Sequence, residues 1–120
     1  MSSRKPSRKS GITTLTYVRF SRTHYSMKIR TTRHKGLKAL IENGDAKGIR
    51  PDQIKRAQNI LAALRYAASM DEVSGPPGWR IHQLVGDRAG TWSVSVSGNW
   101  RITFEIEDGE ISNLDLEDYH

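Results

Sequence analysis

Trp92-Ser93-Val94-Ser95-Val96-Ser97-Gly98-Asn99-Trp100-Arg101-Ile102-Thr103-Phe104-Glu105-Ile106-Glu107-Asp108-Gly109 carries two strands and two turns in one uninterrupted stretch. Trp92, Val94 and Val96 alternate with Ser93 and Ser95. Trp100, Ile102, Phe104 and Ile106 alternate with Arg101, Thr103, Glu105 and Glu107. A period of two marks strands with one buried and one open face. Gly98-Asn99 joins the two runs as a hairpin turn, and Asp108-Gly109 is a type I′ signal that sends the chain back once more.

Outward from this core the pattern extends. Leu114 and Leu116 mark a last strand, and Trp79-Arg80-Ile81-His82 opens the first of the group. Four strands joined by short turns make an antiparallel meander whose apolar face needs a cover. Upstream, Leu37, Leu40 and Ile41 predict a helix over 36–43, with Gly44 as its C-cap. Pro51 opens a second helix, in which Ile54, Ala57, Leu61, Leu64 and Ala68 form one stripe through about Ser69. Ser74-Gly75-Pro76-Pro77-Gly78 ends the helical half, and Met27–Thr31 is a short strand candidate ahead of it. The expectation is an α+β domain: two N-terminal helices packed on one face of a small antiparallel sheet.

The chain has 120 residues, enough for one modest core and no more. Its longest apolar run, Ile60 to Leu64, is too short to cross a membrane as a helix. With no Cys there is neither a disulfide framework nor a thiolate nucleophile. The net charge of +6 is unevenly spread. Residues 1–26 hold six basic residues and no acid; residues 27–101 hold 13 basic and six acidic; residues 102–120 hold seven acids and no Lys or Arg. A basic surface ending in an acidic strand favours a polyanion and orients it, although a mixed solvated surface has the same composition.

Residues 1–26, rich in Ser, Thr, Arg and Lys, are too polar to offset their ordering entropy and read as a disordered basic extension. The segment fits the loose description of an organellar transit peptide. The abrupt onset of folding signal at Met27 favours the alternative, that Met27 is the natural start and 27–120 the domain.

Alternation leaves Arg80, His82, Arg101 and Thr103 on the open sheet face, with Asp118-Tyr119-His120 expected to complete it. RNA phosphodiester cleavage needs such groups: a base for the 2′-OH, an acid for the leaving oxygen, and cations for the phosphorane. Each residue also has an ordinary reading as a solvated strand residue, a cross-strand ion pair or a frayed terminus. His82, His120 and Asp118 as a facial metal set match no known spacing, so the metal-free reading ranks above it. Gly86-Asp87-Arg88-Ala89-Gly90 lacks a Walker-type Lys and reads as a hairpin loop from which Arg88 reaches phosphate.

His34-Lys35-Gly36-Leu37-Lys38, Gly48-Ile49-Arg50-Pro51, the block from Leu84 to Phe104, and the terminal Asp118-Tyr119-His120 together resemble the HigB-type toxins of the RelE/ParE toxin–antitoxin superfamily, over about residues 27–120. The resemblance implies a ribosome-dependent mRNA endonuclease that uses the 2′-OH as nucleophile without metal or other cofactor. Family positions fall on His82, Arg101, Asp118, Tyr119 and His120, with a basic one on Arg50. His120 or Asp118 would be the base, His82 the acid or a phosphate ligand, Arg101 the stabiliser of charge, and Tyr119 a stacking or orienting group. Where relatives read Leu-Lys-Gly-Asp-Arg, this chain has Val85, so one phosphate-contacting Lys is missing.

The same resemblance implies a helix-turn-helix, HigA-like antitoxin as partner, the 70S ribosome with its mRNA as target, no membrane, and a cytoplasmic location. Its alternatives are an inactive antitoxin-binding relative and a ParE-like gyrase poison. An RNA-binding domain recruited through the basic extension is a third.

Overall fold

The computed structural model describes residues 27–118. The readings placed on residues 1–26, Tyr119 and His120 lie outside the described residues. Helix α1 spans Lys35–Asn43 and α2 spans Pro51–Tyr66. Strands β1 (His82–Gln83), β2 (Trp92–Ser97), β3 (Trp100–Glu107) and β4 (Glu110–Asp118) follow and pair antiparallel in sequence order. The expected α+β meander is what forms.

Local chemistry explains the boundaries. His34 caps α1, its Nδ1 accepting the Leu37 N–H at 3.1 Å. Gly44, at φ 70°, ends the helix: its N–H donates to Leu40 O and that of Asp45 to Ala39 O, a Schellman-type closure. Pro51 occupies the first turn of α2, where its missing N–H costs nothing. Asp108 and Gly109 both take positive φ, as the β3–β4 type I′ turn demands.

The helices cover one face of the sheet. Leu37, Leu40, Ala57, Ile60, Leu61 and Leu64 meet Val94, Val96, Ile102, Phe104, Ile111, Leu114 and Leu116 in a single core. Two polar anchors fix α2 on β2: Gln53 Nε2 donates to Ser97 Oγ at 3.2 Å, and Arg56 donates to the Ser95 carbonyl at 3.4 Å. Gln53 and Ile60 thus join the buried face, which the apolar stripe alone did not include, and the helix stops at Tyr66 rather than near Ser69.

Three differences concern the strands. Trp79 lies in a 3-10 turn (Pro77–Trp79) and Arg80 takes a left-handed φ of 49°, so the first strand begins at His82 and strand alternation does not govern Arg80. Residues 28–33 run parallel to β4, with Arg30 N–H on Ile111 O and Arg33 N–H on Leu114 O, both 2.7 Å; they cover its edge through isolated bridges rather than a continuous strand. β4 also carries a bulge: Thr103 faces Asp115 while Glu105 faces Ser112, and Asn113 between them takes φ 54°. The extra residue lets Ile111 and Leu114, three apart, both point into the core.

Candidate active site on the open sheet face

Register builds the open face row by row. His82 lies opposite Ser93, Ser93 opposite Thr103, and Thr103 opposite Asp115. Two residues along, Ser95 lies opposite Arg101 and Arg101 opposite Glu117. Partners in an antiparallel pair project from the same face, so these side chains form one polar surface behind the apolar layer.

Arg101 joins the rows. Its Nη1 is 3.4 Å from both Ser93 Oγ and Ser95 Oγ. Ser93 is thus at once the cross-strand neighbour of His82 and an acceptor for the guanidinium, which links the His82 row to the Arg101 row. His82 is exposed, and its Nδ1 lies 2.7 Å from the Arg80 carbonyl. A carbonyl only accepts, so Nδ1 carries a proton toward the backbone and Nε2 is the nitrogen left for a substrate. The left-handed turn at Arg80 aims that carbonyl back at the ring.

A second cation is committed to a carboxylate. Arg88 grips Glu117 with both nitrogens, Nη1 to Oε1 at 2.8 Å and Nη2 to Oε2 at 2.7 Å, and Thr103 Oγ1 donates to the same carboxylate. These bonds, led by that from Arg88, outweigh partial burial and hold the Glu117 carboxyl below its ordinary range. Arg88 therefore crosses the sheet to an acidic partner, where the sequence suggested a reach toward phosphate.

The remaining site residues spread toward the far end. Asp118 faces Trp100 in register, on the side of Leu116, while its neighbour Glu117 faces Arg101. From His82 it is three strands away and three residues further along, roughly 17 Å between Cα atoms. The two cannot share one metal ion, which removes the facial set of His82, Asp118 and His120. Among the described residues no group of three His, Asp or Glu is placed to hold a metal. Arg50 caps α2 and pairs with Asp52 at 3.3 Å, one turn before Gln53 and its bond to Ser97. It thus stands at the end of the sheet that carries the Ser97–Trp100–Asp118 row.

Sequence reasoning missed Ser93, Ser95 and Glu117 as parts of this surface. Alternation contained the signal for the two serines, which share the parity of Arg101's partners. Glu117 follows Leu116 and falls on the open face by the same alternation; its long-range partner Arg88 is what the sequence did not disclose.

With this arrangement in view, two comparisons bear on the chain. A family model described as RelE-like toxin of type II toxin-antitoxin system HigB matches residues 30–120. Over 92 residues the chain is 39% identical to the Endoribonuclease HigB of Proteus vulgaris, covering 77% of this chain and 99% of that protein.

Proposed function

This chain belongs to the HigB-like family of RelE-like type II toxins, and from that premise we propose that it is an endoribonuclease that cuts mRNA on the translating ribosome. The observation that carries the reading is that one buried serine, Ser93, is both the cross-strand partner of exposed His82 and an acceptor for Arg101 on the polar face of the sheet. No helix among the described residues is long and apolar enough to cross a membrane. As a type II toxin it has an antitoxin partner; a helix-turn-helix, HigA-like protein is proposed for that role, and the cytoplasm for its location.

In the proposed reaction a base takes the proton of a ribose 2′-OH, and O2′ attacks the adjacent phosphorus. The P–O2′ bond forms as the P–O5′ bond breaks, leaving a 2′,3′-cyclic phosphate and a 5′-OH. The proposed base is His120, because Asp118 lies on the side of Leu116 and roughly 17 Å between Cα atoms from His82. Arg101 faces the extra negative charge of the phosphorane from a fixed position, and such preorganised donors act most strongly at developing charge. His82, held by the Arg80 carbonyl through Nδ1, has Nε2 left for a proton to the departing O5′. Tyr119 is assigned to the neighbouring base or phosphate, and Arg50 and Arg80, both exposed, to the RNA backbone. The proposed reaction uses this chain's side chains alone.

His82→Ala and Arg101→Ala test the assignment against defined mRNA in a cell-free translation system. Each is expected to lower cleavage by about 10²-fold or more. Unaltered cleavage by His82→Ala, in a variant with native circular dichroism, contradicts the assignment.

A further inference from the structure

Between Leu84 and Thr91 the loop that joins β1 to β2 buries nothing of its own. Val85 through Gly90 are all exposed, and Val85 is 88% exposed. Backbone bonds shape the loop: Leu84 N–H donates to Thr91 O at 2.8 Å, Ala89 N–H to Gly86 O and Thr91 N–H to Arg88 O, each at 3.0 Å. Gly86 and Gly90, at φ 74° and 93°, make its corners. Without an apolar anchor such a loop belongs to the low-stability end of a structure.

What joins it to the sheet is the Arg88 fork on Glu117. The carboxylate sits on β4, so the tie spans the open face, and Thr103 on β3 adds a bond from beneath. Arg88 also has a place on both sides of the loop. It lines a groove of about 380 Å³ with His82, Gln83 and Val85, and it lines a polar hollow of about 220 Å³ with Arg33, Asp115 and Glu117. Arg88, with Asp87 beside it, therefore stands between the His82 groove and the hollow, and Glu117 holds it from the hollow's side. An exposed ion pair of ordinary geometry contributes little. A bidentate arginine–carboxylate pair with a further hydroxyl donor fixes direction as well as distance.

We infer that Glu117 is a positioning residue for the cleavage reaction: by holding Arg88 across the sheet it sets the wall of the groove through which RNA passes His82. The inference rests on the nuclease reading above. Arg88 then serves as a wall rather than as a phosphate ligand, because both of its terminal nitrogens are engaged. The lowered titration of Glu117 agrees with a carboxylate that stays ionised and bound at neutral pH.

Three variants of the full chain test this: Glu117→Gln, Arg88→Gln, and the exchanged pair Arg88→Glu with Glu117→Arg. Amide hydrogen exchange at Leu84 and Thr91 in the free protein reads the loop; kcat and KM for ribosome-dependent cleavage read the site. Both single variants are expected to speed exchange at those amides and to lower kcat about tenfold or more with KM nearly unchanged, since small misplacements of reacting groups are costly. The exchanged pair is expected to recover part of both. Arg88 is exposed, so agreement between the two single variants separates the effect from misfolding. Unchanged exchange, or a Glu117→Gln variant whose KM falls while kcat holds, overturns the inference; the second result would mean that Glu117 competes with phosphate for Arg88. A wild-type chain that cuts nothing overturns the nuclease reading and the positioning role with it. Faster exchange in Glu117→Gln would in that case identify a purely structural brace.

Discussion

Glu117 illustrates how one carboxylate changes the meaning of its neighbours. Its bonds from Arg88 and Thr103 favour the ionised form in the folded chain, so its folded pKa lies below the ordinary value of 4.5. Between those two values the unfolded chain binds the extra proton, and stability rises with pH. The contribution of Glu117 is complete above the ordinary value and is lost on acidification through the folded one. Denaturant titrations of wild type and Glu117→Gln from pH 7 downward are expected to differ most at neutral pH and to converge below 4.5. A gap that widens on acidification contradicts the described pair. At this scale alternation alone made part of the site legible, because Arg101 and Thr103 fall on the open face by parity. Arg80 escaped it, since a left-handed φ at a non-glycine residue is a tertiary outcome with no period to read.

Elements pack as closely as their smallest residues allow. The two motifs that open the helices, around Gly36 and Gly48, touch each other: a Cβ on Gly48 would lie 2.7 Å from the Gly36 Cα, and one on Gly36 would strike the Gly48 carbonyl. The glycines set the distance between the start of α1 and the loop that leads into α2, and so the direction in which Arg50 is presented. Gly36→Ala is expected to destabilise by about 1–3 kcal/mol, as overpacking does. Differential scanning calorimetry reads this as a drop in Tm of roughly 4–8 °C per kcal/mol. An unchanged Tm would contradict the close contact. Turn chemistry was the most legible part of the sequence: Gly44, Pro51 and Asp108-Gly109 each do what their residue type demands locally. The bulge at Asn113 was not legible. Ile111, Leu114 and Leu116 are spaced three and two apart, and only the pairing partner Thr103–Glu105 reveals which residue is extra.

Across the whole molecule the apolar and polar faces of one sheet divide the labour of stability and function. Phe104, Ile102 and Val94 are fully buried behind the same strands that present Thr103, Arg101 and Ser93. The charge pattern follows that division. Basic residues dominate up to Arg101, whereas Asp115 and Glu117 place acids on the open face itself, where Arg88 and Arg33 offset them. At the rim of the His82 groove, Val85 offers no charge to RNA. Val85→Lys is expected to strengthen RNA binding and to steepen its dependence on log salt by about one unit, the increment of one added phosphate contact. Fluorescence titration of a short single-stranded RNA at several salt concentrations measures it, and an unchanged slope would place Val85 away from the RNA path. The overall architecture was readable because period, turns and caps agree with one another along the chain. The contacts that cross the open face join residues far apart in sequence, such as Arg88 and Glu117, and local pattern carries no trace of them.

If the open face of this sheet cuts mRNA under translation, primer extension reveals the breaks. A defined mRNA is translated in a cell-free system with the full chain added, beside a lane holding the same RNA and protein without ribosomes. Breaks in register with codons are expected in the translated lane alone, and none when His82→Ala replaces the wild type. Intact mRNA in both lanes, from a chain with native circular dichroism, would contradict the nuclease reading.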